Sequence, residues 1–116
     1  MLEHRDGFSV TASGPRMFAL AGELDMASRP MFESAIADAI PADGPIVLEV
    51  SGLKFMDSSG LAAVLSVLQA MTSGCLVLHG VHGPTQRLME VTHIDGRERL
   101  HVIPCVEKLE ASDQAP

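Results

Sequence analysis

Two adjacent serines stand between an acidic residue and a glycine in the stretch FMDSSGL, residues 55–61. The apolar run PIVLEVSGL precedes it and leads into it, and the run AAVLSVLQAM, which has helical spacing, follows it. Three kinds of chemistry suit such a position: a helix cap, a nucleophile, and a hydroxyl that accepts a phosphate. The cap is the simplest, because an oxygen of Asp57 or Ser58 could accept a backbone N–H that has no partner within the helix.

A serine nucleophile is disfavoured by the residues around it. The nucleophile elbow of hydrolases carries a glycine two residues before the serine, whereas Met56 and Asp57 occupy those positions here. Histidines follow downstream, but no sequence feature places one of them as a base beside a serine. The chain also lacks the G-x-x-x-x-G-K pattern of a phosphate-binding loop. The sequence therefore predicts that the protein is not an enzyme.

A phosphorylation site is the third interpretation. A kinase can reach a hydroxyl on an exposed helix N-terminus, and a phosphate would add about −1.5 to −2 charges where backbone N–H groups point outward. Such a modification would change the surface of the domain and leave its fold in place.

The chain as a whole limits the partners. Its 116 residues predict a single domain over 1–116, with a core at about 8–110 and loose termini at the first seven residues and at the tail Ser112–Pro116. A net charge of −7 argues against binding to nucleic acid, since phosphates are neutralised by clustered Lys and Arg. No segment has the length and apolarity of a membrane span or of a cleavable leader. We expect a cytoplasmic protein that binds no membrane.

No cofactor and no metal ion are expected. Cys75 and Cys105 lie far apart in the chain, without the close pairing typical of zinc or redox motifs. His79 and His82 could present two imidazoles, but no third ligand accompanies them in the sequence.

The elements that must position the serines alternate between strand and helix. Periodicity predicts a hairpin of FSVTAS and MFALAGEL around Gly14-Pro15, followed by the strands IVLEV, CLVLHGV and LHVIP. Helices are predicted from a Ser28 cap to about Pro41, from Ser59 to Thr72, from Pro84 to about His93, and over VEKLEAS. This order predicts an α/β fold with a largely parallel sheet. The serines would then lie at the carboxyl end of a strand, where functional loops gather.

Two motifs resemble those of a known family. The stretch LEVSGLKFMDSSGLAAVL is similar to the marked segment of the STAS domain of anti-anti-sigma factors, also called anti-sigma factor antagonists. The earlier stretch GELDMASRP, residues 22–30, resembles the other marked loop of that family, and the order of elements agrees over about residues 8–110. The resemblance implies a four- or five-stranded mixed sheet with helices packed mainly on one face. It also implies regulation by partner switching.

Residue roles follow from this resemblance. Ser58 corresponds to the phosphoacceptor, Ser59 is its neighbour at the helix start, and Asp25 is a loop acid close to it. The unphosphorylated form would bind an anti-sigma factor serine kinase and so free a sigma factor. Phosphorylation would end that binding, and a serine phosphatase of the metal-dependent class would restore it.

The surface that contacts the partner is expected to include Asp25, Met56, Asp57, Ser59, Gly60 and Leu61. Met56 and Leu61 flank the serines, and we expect them to be partly exposed as an apolar collar at an interface. Gly60 would leave room for the partner's backbone to approach closely.

Two alternatives stay open at this level. Within the same fold, the chain could be a stressosome-like scaffold or a regulator that is never phosphorylated, since a DSSG turn also serves as a cap. A hydrolase or a phosphotransfer receiver is less favoured, because residues 12–14 at the end of the first predicted strand offer no acidic pocket. Met26 and Ala27 depart from the more polar residues expected after Asp25.

Overall fold

The computed structural model describes residues 2–5, 7–40, 44–92 and 99–104. Within these ranges the chain forms six strands and three α-helices. The strands are β1 (Leu2–Arg5), β2 (Phe8–Gly14), β3 (Met17–Leu24), β4 (Ile46–Met56), β5 (Leu76–Val81) and β6 (Leu100–Pro104). The helices are α1 (Arg29–Ile36), which a 3-10 turn continues over Ala37–Ala39, α2 (Ser58–Ala70) and α3 (Gly83–Thr92).

The strands form one mixed sheet in the order β1-β2-β3-β4-β5-β6. The first three strands pair antiparallel, and β3, β4, β5 and β6 run parallel to one another. The predicted mixed α/β sheet is confirmed, and its five predicted strands are β2 to β6. The expectation that the first seven residues are loose is wrong for residues 2–5, which pair with residues 8–11 of β2 across a turn at Gly7 and add a sixth strand.

The core lies on one face of this sheet. Buried side chains alternate along the strands, as at Ile46, Leu48 and Val50 in β4, and the helices bury their apolar faces in the same cluster. The alternate positions, such as Ser9, Glu49 and His79, are only partly covered. An antiparallel or mixed sheet with one packed face shows this alternation, because successive side chains point to opposite sides. The helices therefore pack mainly on one face, as predicted.

Strand β4 is longer than the predicted IVLEV and contains an irregularity. The pairing register between β3 and β4 shifts near Ala21 and again near Glu23. Beyond Val50 the buried positions of β4 are Leu53 and Met56, so burial recurs at every third residue instead of every second. Bulges of this kind bend a strand and redirect its side chains, often next to functional sites.

The helices differ slightly from the predicted spans. Helix α2 begins at Ser58 and ends at Ala70, two residues before the predicted end, because Met71 has extended backbone angles. Arg29 near the start of α1 donates a hydrogen bond to Ser66 Oγ of α2 at 3.3 Å and so links the two helices. The predicted last helix and the tail from Ser112 lie outside the described residues. Among the helices that are described, none is both long and apolar enough to cross a membrane.

Candidate functional site

The carboxyl ends of three parallel strands lie at one edge of the sheet. Strand β3 ends at Leu24, β4 at Met56 and β5 at Val81, and each is followed by a turn into a helix. Leu24 and Met56 are paired in register, and the Asp57 N–H donates to the Leu24 carbonyl oxygen at 3.4 Å. The turn after β3 and the turn after β4 are therefore neighbours.

The turn after β4 places Ser58 at the first position of α2. Asp57 is the N-cap residue: its backbone is extended, and its Oδ1 accepts a hydrogen bond from the Gly60 N–H at 3.0 Å. The Asp57 carbonyl oxygen accepts from the Leu61 N–H at 3.0 Å. The prediction that this stretch begins a helix is confirmed, and the cap is Asp57 rather than Ser58.

Ser58 is exposed, and its hydroxyl makes no hydrogen bond to any residue that the structure describes. Ser59, the next residue, is half-buried. The N-terminus of a helix carries a partial positive charge and unpaired N–H groups, which favour a negative group nearby. The Ser58 hydroxyl is thus accessible to another protein, and a phosphate on it would lie where the helix favours negative charge.

Gly60 is buried at the contact between α2 and β3. A β-carbon at this position would overlap the carbonyl oxygen of Leu24 and lie 2.9 Å from Cγ of Met56. The space beside Gly60 is therefore occupied by the protein's own backbone. The expectation that it leaves room for a partner is wrong.

Met56 and Leu61 are buried, with 3% and 5% of their surface exposed. Met56 follows the bulged part of β4 and points into the core, and Leu61 lies on the apolar face of α2 with Val64 and Leu68. The expectation that they form a partly exposed collar is wrong. They support the turn that carries Ser58 from beneath.

The turn after β3 is closed by Asp25 and Ser28. Oδ1 of Asp25 accepts from the Ser28 N–H at 3.0 Å, and Oγ of Ser28 accepts from the Asp25 N–H at 3.0 Å. The Ser28 hydroxyl donates to the Glu23 carbonyl oxygen at 2.8 Å, and Ser28 is only 3% exposed. Ser28 holds the N-cap position of α1, as predicted. Its side chain makes no capping hydrogen bond to the helix, because its hydroxyl bonds back towards β3.

The same end of the sheet is held by Gly22, the first residue of the GELD motif. Gly22 has φ +92°, and a β-carbon there would overlap the carbonyl oxygen of Gly7. The Glu23 N–H donates to that oxygen at 2.6 Å. The positive φ of Gly22 and its close approach to Gly7 both require glycine. This contact and the hydrogen bond from Glu23 hold the β1–β2 turn against the end of β3, next to Asp25.

Met26 is the functional candidate that sequence reasoning missed. It lies at the tip of the Asp25–Ser28 turn, and 75% of its surface is exposed, next to the exposed Ala27. Its sequence signal was the apolar residue in a loop where polar ones were expected. A large apolar side chain fixed in an exposed position is a feature of protein interfaces.

His79 and His82 contact different groups of the protein. Nδ1 of His79 lies 2.6 Å from Oε1 of Glu49, whereas Nε2 of His82 lies 2.8 Å from the carbonyl oxygen of Ser51. Partial burial raises the pKa of Glu49, but hydrogen bonds from Ser51 and His79 and the charge of His79 outweigh it, so the pKa lies below its ordinary value. Across the described residues, no group of three or more His, Cys, Asp or Glu could hold a metal ion.

Comparison with curated proteins gives no match. Several solved structures share the fold, including the following two. A structure described as an anti-sigma factor antagonist from Mycobacterium paratuberculosis has 24% identity and a TM-score of 0.59, over 99% of this chain and 90% of that chain. The anti-sigma factor antagonist SpoIIAA in its unphosphorylated form has 18% identity and a TM-score of 0.60, over 92% of this chain and 96% of that chain.

A family model supplies the assignment. The model described as "Mlab, STAS domain" matches residues 10–104, a range that includes both turns of the site, most of β2 and all strands from β3 to β6. The chain belongs to the STAS domain family.

Proposed function

We propose that this protein is an anti-sigma factor antagonist that is switched by phosphorylation of Ser58. In its unphosphorylated form it binds an anti-sigma factor serine kinase and thereby releases a sigma factor. Two solved structures that share its fold are described as anti-sigma factor antagonists, and SpoIIAA was solved in its unphosphorylated form. The protein acts as a cytoplasmic regulator, needs no cofactor, and is a substrate of the kinase rather than an enzyme.

One observation carries the proposal: Ser58 is the exposed serine of the turn, its hydroxyl has no hydrogen bond to a described residue, and the cap beside it is completed by Asp57 alone. Asp57 caps α2, and Asp25 and Ser28 bond to each other in the neighbouring turn. Ser58 has no such role within the described structure. A phosphate can therefore be added to it without breaking a hydrogen bond that holds the fold.

The phosphate changes stability and binding differently. The α2 N-terminus favours the added charge by about 0.3–1 kcal/mol at an exposed site. Asp57, and Asp25 in the adjacent turn, oppose it, so the isolated domain changes little in stability. At an interface the phosphate must be desolvated or is repelled by the surface that covered the hydroxyl. A penalty of about 3 kcal/mol there weakens binding by about a hundredfold.

The chemistry of the switch needs two partner enzymes. The kinase transfers the γ-phosphoryl group of ATP to Oγ of Ser58, the hydroxyl proton is lost, and ADP leaves. A serine phosphatase of the metal-dependent class hydrolyses the phosphoserine and restores the hydroxyl. This chain supplies only the acceptor and the surface around it.

That surface comprises the exposed or half-buried side chains of Asp25, Met26, Asp57 and Ser59 around Ser58. Met56, Gly60 and Leu61 contribute indirectly, because they are buried beneath the turn. An exposed apolar side chain beside a switchable hydroxyl suits a protein partner, since an added phosphate would then face apolar surface.

Substitution of Ser58 tests the proposal. We expect Ser58→Ala to bind the anti-sigma factor kinase as the parent does and to accept no phosphate. Ser58→Asp and Ser58→Glu are expected to remain folded and to bind about a hundredfold more weakly. Ser59→Ala serves as the matched control for phosphorylation, and it should still accept phosphate. Affinity is measured by calorimetry, and folding by circular dichroism.

A second candidate is a STAS scaffold, such as a stressosome-like subunit, that is never phosphorylated. It is favoured by the cap, which Asp57 completes without Ser58. In that case the acidic variants would bind their partner as tightly as the parent, and no kinase would label the protein.

A further inference from the structure

A groove of about 580 Å³ lies between the end of β4 and helix α3. Most of the residues that line it are apolar, and one is an arginine. They are Phe55, Met56, Gly83, Pro84, Arg87, Leu88 and Val91. We call it the α3 groove.

The α3 groove exposes large apolar side chains. Phe55 is 43% exposed and Val91 is 69% exposed, although the protein buries most of its large apolar residues. Exposed apolar side chains that line one concavity, rather than being scattered singly, are typical of a binding surface.

Arg87 differs from the other arginines whose side chains the structure describes. Arg16 donates to three backbone carbonyl oxygens, Arg29 pairs with Glu33 at 2.8 Å, and Arg99 donates to two carbonyl oxygens. Arg87 is exposed and makes no hydrogen bond or ion pair to any described residue.

The positive charge of Arg87 makes the α3 groove complementary to an acidic ligand. The acid one turn further along α3, Glu90, is bonded to Gln86 at 3.4 Å. In a chain with a net charge of −7, the α3 groove therefore presents, between apolar walls, a guanidinium that is paired with no described residue. A guanidinium fits a carboxylate through two parallel hydrogen bonds, and it does so best where water is partly excluded.

The α3 groove is continuous with the turn that carries Ser58. Met56 lines the groove and immediately precedes Asp57, the cap of α2. Gly83 and Pro84, at the other wall, begin α3 at the same edge of the sheet. The groove and the turn that carries Ser58 therefore lie at the same end of the sheet, next to each other along the chain.

We propose that the α3 groove binds an amphipathic acidic segment of the partner protein. Large apolar side chains of that segment pack against Phe55, Leu88 and Val91, and an aspartate or glutamate of the segment pairs with Arg87. An amphipathic helix in a groove is a common mode of peptide recognition. The identity of the partner as an anti-sigma factor rests on the proposed function, whereas the chemistry of the groove does not.

A peptide probe tests the groove by itself. The full chain, labelled on Leu and Val methyl groups, is titrated with an amphipathic leucine–glutamate peptide and with its leucine–lysine counterpart. We expect shifts at Leu88 and Val91 and an affinity at least about tenfold higher for the glutamate peptide, since each tenfold is about 1.4 kcal/mol. In Arg87→Gln the preference should fall to about twofold or less. Equal affinity of the parent for both peptides, or no shift in the groove, overturns the proposal.

The kinase tests the groove within the complex. Arg87→Gln is expected to weaken binding about tenfold and Arg87→Glu about a hundredfold, with the salt dependence of binding reduced. Lys54→Gln and Lys54→Glu change the charge equally at an exposed site outside the groove, and should bind within about twofold of the parent.

The outcomes separate the two proposals. If Ser58→Glu loses binding and Arg87→Glu does not, the groove proposal is wrong and the proposed function stands. If no kinase binds, the proposed function fails and the peptide titration still decides the groove. Two other occupants of the α3 groove would also overturn the groove proposal. The first is residues 105–116 of this chain, which are indicated if neither peptide binds until these residues are removed. The second is another copy of the chain, which is indicated if Arg87→Glu abolishes self-association.

Discussion

Ser28 and Ser58 hold similar places in the fold and have opposite surroundings. Each lies at the start of a helix, in a turn that contains an aspartate and follows a parallel strand. The Ser28 hydroxyl is buried and bonded to Glu23 and Asp25, whereas the Ser58 hydroxyl is exposed and has no partner among the described residues. The difference separates a serine that holds the fold from one that is available to another protein.

The aspartates explain the difference. Asp25 uses its carboxylate within its own turn, on the backbone and hydroxyl of Ser28. Asp57 instead caps the helix by accepting from Gly60, so the cap needs nothing from Ser58. A turn with a self-sufficient cap can carry a modifiable hydroxyl, because modification removes no structural hydrogen bond.

The largest expected effect is a loss of stability where the two turns meet. Gly60→Ala places a β-carbon against the Leu24 carbonyl oxygen, and we expect a loss of about 3 kcal/mol in the free energy of unfolding. Gly14→Ala is the matched control, since a β-carbon there meets only side-chain atoms of Met17 at 3.5 Å or more. Urea titration measures both. Equal stability of the two variants would mean that Gly60 is not needed where the turns meet.

The next effect separates the serines directly. Ser28→Ala removes a buried hydroxyl that accepts from the Asp25 N–H and donates to the Glu23 carbonyl oxygen, and should cost about 2 kcal/mol of stability. Ser58→Ala removes a hydroxyl with no bond and should change stability by less than about 0.5 kcal/mol. Thermal unfolding of both variants checks the difference. A similar loss in both would show that Ser58 also holds the fold.

A smaller effect is expected at the cap. Asp57→Ala removes the acceptor for the Gly60 N–H and should destabilise the protein by about 1 kcal/mol. Asp57→Asn keeps an oxygen acceptor and should recover most of that loss, since Asn is a comparable cap. Asp38→Ala, at an exposed position, controls for the lost charge. If Asp57→Ala is no less stable than Asp38→Ala, the cap is not self-sufficient and Ser58 shares it.

The sequence predicts the two turns better than their surroundings. The change from IVLEV to helical spacing places Ser58 at the start of α2, because the strand and helix periodicities can both be read from residues close together in the sequence. The burial of Met56 depends on the bulge in β4, which shifts the period of burial and arises from pairing with β3. The burial of Leu61 depends on the packing of the apolar face of α2. Gly60 is required by the carbonyl of Leu24, and only the folded sheet brings these two residues together. Strand β1 was not predicted, because its sequence LEHR has no alternating apolar pattern. Its strand conformation is stabilised by pairing with β2.

The smallest effect lies on the open face of the sheet, away from both turns. The pKa of Glu49 is lowered in the folded state, so its contribution to stability is present above its ordinary value of 4.5 and is lost as the pH falls through the folded-state pKa. The parent should therefore lose more stability than Glu49→Gln between about pH 5 and about pH 3. Thermal unfolding across this range measures it. An identical pH dependence of the two proteins would contradict the role of Glu49.

Phosphate incorporation tests the central claim most directly. The full chain and its Ser58→Ala, Ser59→Ala and Ser28→Ala variants are incubated with ATP and each anti-sigma factor kinase of the source organism, and their intact masses are measured. We predict one added phosphate on the parent, on Ser59→Ala and on the folded fraction of Ser28→Ala, and none on Ser58→Ala. A phosphate on Ser58→Ala, or an unmodified parent with every kinase, would contradict the claim that the exposed hydroxyl of Ser58 is the switch.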